Sequence, residues 1–309
     1  MRKGDRAMRA CWFALLCLAL LGSALVLVDR SAGDTKPATA DAQAGAEIEG
    51  KLKPLARPFV MTDWQRKYQE NGQSFEEYLR AAPVRRSKQL NTVYLCLMGE
   101  FTPEQEKVLE AAREYLGVFF DCPVKVRKRI KLSDVPEKAR RVHPQWGDKQ
   151  VLASYVLDEV LAADRPDDAL AYLAFTSFDL WPGEGWNFVF GQASLYKRVG
   201  VWSIYRNGDP KRDYQLVLRR TLATASHELG HVLTLQHCIA HECNMNGSNH
   251  LEESDKKPLH FCPVCARKLI WNLQVDPVAY FQKLEAFCRK HELKDEADYY
   301  AKAARALGG

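Results

Sequence analysis

The sequence has no internal repeat and no low-complexity tract, so it is not a solenoid or an array of small units. Only 18 glycines and 14 prolines among 309 residues exclude a collagen-like chain. A strong charge of one sign is also missing. Lys+Arg 44 against Asp+Glu 39 gives +5, too mild to suggest a nucleic-acid partner on its own. No recognition helix or aromatic-interleaved basic segment supplies that case either, so no nucleic-acid partner is expected. A single long apolar run rules out a polytopic membrane protein. What is present is 47% hydrophobic and 27% charged residues, an ordinary globular make-up in one large domain or two small ones. Nine cysteines exceed what packing needs, and their positions carry more information than their number.

The single long apolar run is N-terminal. Arg2, Lys3, Arg6 and Arg9 form a basic flank, and Ala10 to Val28 follow without a charge. Residues 1–30 read either as a signal peptide, cleaved near Gly22-Ser23-Ala24, or as an uncleaved signal anchor, which Leu25-Val26-Leu27-Val28 favours. Both readings leave the N-terminus cytoplasmic and the remainder exported, with membrane contact through residues 10–28. Without the five basic and two acidic side chains of residues 1–30, 39 basic and 37 acidic ones remain, so the exported part is nearly neutral. Residues 31–58 have few large apolar side chains and read as a flexible linker.

Residues 59–89, with Trp64, Tyr68, Phe75, Tyr78 and Leu79, look like a helical lead-in without recognisable chemistry. A denser pattern occupies 90–275. Val93 to Met98 is apolar on both faces, as a covered central strand is. Thr102-Pro103-Glu104-Gln105 then gives an N-cap, an N1 proline and a capping-box Gln. The helix that follows places Val108, Leu109, Ala112, Tyr115 and Leu116 on one stripe and is expected to stop at Gly117. Strands are expected at Val118 to Ile130, Ala171 to Phe178, Asn187 to Ala193 and Val201 to Tyr205, with a second helix at Gln150 to Ala163. That alternation implies an α/β fold with a mixed, mostly parallel sheet. Lys125 to Lys131 holds five basic residues in seven and reads as a solvated edge in preference to a phosphate site. Residues 276–309 read as a C-terminal helical hairpin, with Tyr280, Phe281, Leu284 and Phe287 on one stripe and Tyr299, Tyr300 and Ala304 on the other.

The chemistry concentrates after Asp213, which caps a helix from Tyr214 to about Leu233. Its core stripe is Leu218, Leu222, Ala225, Leu229, Val232 and Leu233. His227 and His231 each lie two residues from Leu229 and leave the opposite face together, so both imidazoles reach one metal ion. His237 offers a third nitrogen six residues on. Three neutral imidazoles leave one tetrahedral position open for water, whose pKa zinc lowers toward about 7, and Glu228 is placed to take its proton. Cys238, Cys243, Cys262 and Cys265 follow as C-x4-C and C-x2-C separated by eighteen residues, which suits a closed, structural four-cysteine zinc site. Disulfides are the rival in an exported chain, but loops this short are poor disulfide frameworks. Cys96, Cys122 and Cys288 read as buried single thiols.

The run His227-Glu228-x-x-His231, His237-Cys238, Cys243-x-Met245 and Cys262-x-x-Cys265 resembles the archaemetzincins, zinc metalloproteases of the metzincin clan. The resemblance covers about residues 90–275, including Asn187-Phe188-Val189-Phe190-Gly191. It implies a catalytic zinc on the three histidines, Glu228 as general base, a second zinc on the four cysteines, and Met245 beneath the catalytic metal. A peptide or protein substrate would lie antiparallel to an edge strand, either Asn187–Ala193 or Val201–Tyr205. Two departures stand out: Thr234 where the family usually has Gly, and a Met245-to-Cys262 gap one residue short. A β-branched residue at positive φ costs about 1–2 kcal/mol, so the turn is expected to differ from the family's or the helix to run further.

Three rival readings remain at this level. A catalytically silent peptide-binding protein could keep both zinc sites, and a structural two-metal module would need no substrate. Glu252 or Glu253 could replace His237 as third ligand. Asp179, Trp181 and Trp186 could line the cleft, although ordinary packing explains each more simply.

Overall fold

The computed structural model describes residues 39–308. The expected signal peptide or anchor lies outside the described residues, among which no helix is long and apolar enough to cross a membrane. Most of the expected flexible linker that is described is instead helical, as α1 (Thr39–Leu52) and a 3-10 turn at Lys53–Leu55. Its alanines favour helix, and its few apolar side chains suffice to dock it: Leu52 is fully buried and Ile48 packs on the same core. The lead-in contributes two short helices, α2 (Asp63–Lys67) and α3 (Phe75–Arg80), the latter closed by a Ser74/Glu77 capping box.

The strand β1 (Thr92–Met98) is central, as its two-sided apolar pattern requires. Val93, Leu95 and Leu97 enter one core while Cys96 and Met98 enter the other. The helix α4 (Pro103–Phe119) starts at the expected Thr102/Gln105 capping box. It runs past Gly117 because Phe119 is buried in the core. Asp121 at φ 46° and Pro123 then turn the chain into β2 (Val124–Ile130), a shorter strand than expected. This basic strand is the solvated edge of the sheet, and Arg127 and Arg129 pair with Asp164 and Glu106.

Two short strands, β3 (Arg140–Val142) and β4 (Lys149–Leu152), begin a second sheet. The expected helix at 150 therefore starts late. Gln150 is in β4, where its amide donates to Asp179 Oδ2 at 2.6 Å, and α5 (Ala153–Tyr155) begins only afterwards, continuing as a π-helical turn over Val156–Leu161. Next come β5 (Ala169–Thr176), β6 (Asp179–Trp181), β7 (Gly191–Ser194) and β8 (Val199–Ser203). The main sheet has the order β2-β1-β5-β8-β7, parallel except for β7, and the second has β3-β4-β6. The fold is thus α/β with a mixed, mostly parallel sheet. Of the two candidate edge strands, only β7 is an edge; β8 lies between β5 and β7.

The long helix α6 (Tyr214–Val232), capped by Asp213, packs on α4 and β7. The chain then makes α7 (Leu251–Asp255) and α8 (Pro263–Leu273) before the hairpin of α9 (Pro277–Lys290) and α10 (Lys294–Leu307). Arg219 of α6 ties this hairpin to the core through Glu296 at 3.0 Å and the Asp255 and Lys257 carbonyls. Because α1 is packed and not a tether, Leu52→Ala is expected to destabilise the protein by about 2–5 kcal/mol in denaturant unfolding. A shift within about 0.5 kcal/mol is the result a flexible linker gives.

Candidate metal centre

His227 and His231 project together from α6, and the end of that helix determines where the third histidine goes. Thr234 N–H donates to His231 O and Leu235 N–H to Gly230 O, at 2.8 and 2.9 Å, the paired bonds of a Schellman turn. That turn requires positive φ after the cap, and Thr234 adopts 70°. Neither expectation holds: the turn keeps its positive φ and the helix does not run further, so the β-branched residue bears the strain, about 1–2 kcal/mol. With the turn made, Leu235 O accepts from His231 Nδ1 at 2.7 Å and the chain returns with His237 beside the other two rings.

Each imidazole is held from behind. His227 Nδ1 meets Asn244 O at 2.8 Å, His231 Nδ1 meets Leu235 O, and His237 Nδ1 meets Glu70 Oε1 at 2.6 Å. Carbonyl and carboxylate oxygens only accept, so all three Nδ1 atoms carry the proton and all three Nε2 atoms present lone pairs. His227 Nε2 and His231 Nε2 lie 3.1 Å apart, and one ligand atom from each histidine falls within 4.8 Å of the others. Zn–N bonds of about 2.0 Å at tetrahedral angles put nitrogens about 3.3 Å apart, so the set fits zinc. Burial, reinforced by repulsion between the rings and from Lys257, lowers the pKa of His227 and His231, the latter to about 3. Both are therefore neutral and ready to ligate at ordinary pH.

Glu228 is fully buried beside them, and burial pushes its carboxyl up to about 8. A divalent cation next to it acts in the opposite direction. It sits against the edge strand: a Cβ on Gly191 would lie 3.0 Å from Glu228 Cγ and 3.1 Å from Oε1. Met245 is buried with its sulfur against Gly230, where any Cβ would come within 2.5 Å. Its turn is stapled to α6 by Asn244, whose amide donates to Ala223 O and Ser226 Oγ. A narrow crevice lined by Phe190, Ala223, Thr224, Leu251 and Lys257 opens beside His227.

Cys238, Cys243, Cys262 and Cys265 are all buried, with sulfurs within 4.8 Å of one another. Cys238 and Cys262 are 3.6 Å apart, too far for a disulfide and close to the edge of about 3.7 Å that four Zn–S bonds of about 2.3 Å define. The Met245 and Cys262 amides both donate to Cys243 Sγ, and Cys262 N-caps α8. Hydrogen bonds from the other three thiols push Cys238 down, while burial raises Cys243 and its bond to Cys238 raises Cys265. Four buried sulfurs at these distances are a donor set for a soft divalent cation, which would favour their ionised form. Cys96, Cys122 and Cys288 are separate buried thiols, and burial pushes the first two up to about 12.

The other candidates do not join these groups. Both oxygens of Glu253 accept backbone N–H groups, from Asp63 at 2.5 Å and Asn249 at 2.6 Å, and Glu252 is exposed. Asp179 is buried in a bidentate pair with Arg206, and Trp181 stacks under Arg141, so both serve packing. Conversely, the lead-in supplies what sequence reading missed. Glu70 holds His237, Gln73 brackets the strained turn through Thr234 O (3.1 Å) and the Gln236 N–H (3.3 Å), and Trp64 packs edge-on against His237. No local pattern marks them, since their partners are more than 160 residues away.

Three histidines from a sheet-packed helix and its Schellman turn, beside a buried carboxylate and an edge strand, define a zinc metallopeptidase site. The model of Peptidase family M54 matches residues 123–270. Archaemetzincin-2 of Rattus norvegicus is 32% identical over 242 residues, 67% of each chain. The archaemetzincin of Thermococcus kodakarensis is 40% identical over 132 residues, 41% of this chain and 70% of its own. A crystal structure of archaemetzincin from Methanopyrus kandleri superposes with a TM-score of 0.50 at 32% identity, covering 62% of this chain and 99% of that one. The chain belongs to peptidase family M54, the archaemetzincins, and is a zinc metallopeptidase.

Strain at Thr234 has a measurable consequence. Thr234→Gly removes an αL penalty of about 1–2 kcal/mol and adds about 0.5–1 kcal/mol of unfolded-state entropy. A net gain of about 0.5–1 kcal/mol is expected in denaturant unfolding. A loss of stability contradicts the positive-φ turn.

Proposed function

We propose that His227, His231 and His237 hold a catalytic zinc, that Glu228 is the general base of peptide hydrolysis, and that Cys238, Cys243, Cys262 and Cys265 hold a second, structural zinc. The observation that carries the reading is the convergence of three Nε2 lone pairs whose Nδ1 protons are all engaged. When bound at the histidines, zinc supplies Lewis acidity that polarises a peptide carbonyl and makes water acidic. Glu228 takes the proton of the attacking water and delivers it to the amine as the C–N bond breaks, leaving a carboxylate and a new amino terminus. Its burial keeps bulk water from competing for that proton.

The substrate is a peptide lying antiparallel to the free edge of β7, recognised mainly through its backbone. Gly191 lets that strand approach the Glu228 carboxylate without a side chain between them. Met245 supports the two helix histidines through its contact with Gly230. At the four-cysteine site no position is left for water, so its zinc shapes the loop that carries His237 and Met245.

The test is zinc content together with cleavage of a peptide library by the full-length protein. About two zinc ions per chain are expected, and Glu228→Ala should retain both while lowering kcat by about 10²–10⁴. Cleavage unaffected by Glu228→Ala refutes the general-base assignment. About one zinc per chain, with the four thiols oxidised, refutes the second site. Gly191→Ala is a finer probe, because its methyl crowds Glu228. A fall in kcat on the order of tenfold to a hundredfold with unchanged zinc content is expected, and unchanged kcat contradicts the packing of β7 on Glu228.

A further inference from the structure

The three histidines are not held alike. His227 and His231 stand on a rigid helix, and their Nδ1 protons go to neutral backbone carbonyls. His237 stands on a loop after a strained turn, and its Nδ1 proton goes to a carboxylate. That carboxylate, Glu70, comes from a segment upstream of the residues the family model matches.

The segment is fastened to the ligand loop at several points. Gln65 donates its amide to Glu70 Oε2 at 2.8 Å and so fixes which oxygen faces the imidazole. Gly72, at φ 70°, lies so close to Ile239 that a Cβ would fall 2.8 Å from its side chain. Gln73 accepts from the Gln236 N–H and donates to Thr234 O, bridging the turn itself. The ammonium of Lys268, a buried residue of α8, bonds Gln73 O and reaches Gln73 Oε1 at 3.3 Å. The helix that begins at Cys262 is therefore linked through Lys268 and Gln73 to the loop carrying His237.

We infer that Glu70 is a positioning residue of the metal centre, orienting the His237 ring and raising the donor strength of its Nε2 through a charged hydrogen bond to Nδ1. A carboxylate behind a ligating imidazole fixes the tautomer and makes the ring a stronger donor, and removing such a partner typically costs 10–100-fold in metal affinity. A neutral amide keeps the hydrogen bond and loses the charge. The inference rests on His237 being a zinc ligand.

The experiment is competition for zinc between a chromophoric chelator and the full-length protein, as wild type, Glu70→Gln, Glu70→Ala and His237→Ala. Zinc retained by the four cysteines, together with the far-UV circular dichroism, reports on the fold of each variant. Glu70→Ala is expected to weaken zinc binding at the histidines by about 10–100-fold, with Glu70→Gln between it and wild type. Glu70→Gln holding zinc as tightly as wild type, while His237→Ala loses it, overturns the role of Glu70 alone. Wild-type affinity in His237→Ala overturns the ligand assignment itself.

Discussion

Everything at this site depends on three protons that are not available to the metal. Each histidine Nδ1–H is fixed on an oxygen of the protein, and only for that reason do three Nε2 lone pairs meet at one point. The acceptors come from three different places: the turn before Met245, the Schellman turn closing α6, and the lead-in upstream of the sheet. A change in any of these segments reaches the donor set without touching a ligand. Burial completes the arrangement by keeping the helix histidines neutral in water of ordinary pH.

The two clusters of ligands are built as one object. His237 and Cys238 are adjacent, so the four-cysteine loop anchors the third histidine directly. Met245 stands between the clusters. Its N–H bonds Cys243 Sγ, its carbonyl accepts from the Cys238 N–H, and its sulfur lies on Gly230 of the helix. Four cysteines gathered within 4.8 Å of one another draw the loop together, and the proposed zinc there would make it rigid. The strain at Thr234 is tolerated because the surroundings hold the turn from both sides, through the helix end and through Gln73.

Much of this was legible in the sequence. The phase of His227, His231 and Leu229 along a helix is fixed by helical geometry, and spacing separated a group of three histidines from a group of four cysteines. The central strand β1 and its two-sided core were equally plain from Val93 to Met98. Elements decided by long-range contact were not. Gln150 begins a strand because its amide reaches Asp179, and Phe119 extends a helix past a glycine because it is needed in the core. The described part of the stretch read as a linker folds onto the core through a few apolar side chains, Leu52 deepest. Glu70 was invisible for a related reason. A single acidic residue in a polar run acquires its role only when the fold places it behind His237.

The central claim is that this chain holds two metal ions in two different ligand sets, one of nitrogens and one of sulfurs. X-ray absorption at the zinc edge of the full-length protein addresses it most directly. The account predicts a mixed first coordination shell, with Zn–N distances of about 2.0–2.1 Å and Zn–S distances of about 2.3 Å in comparable amounts. A shell containing nitrogen and oxygen alone, or sulfur alone, would contradict it.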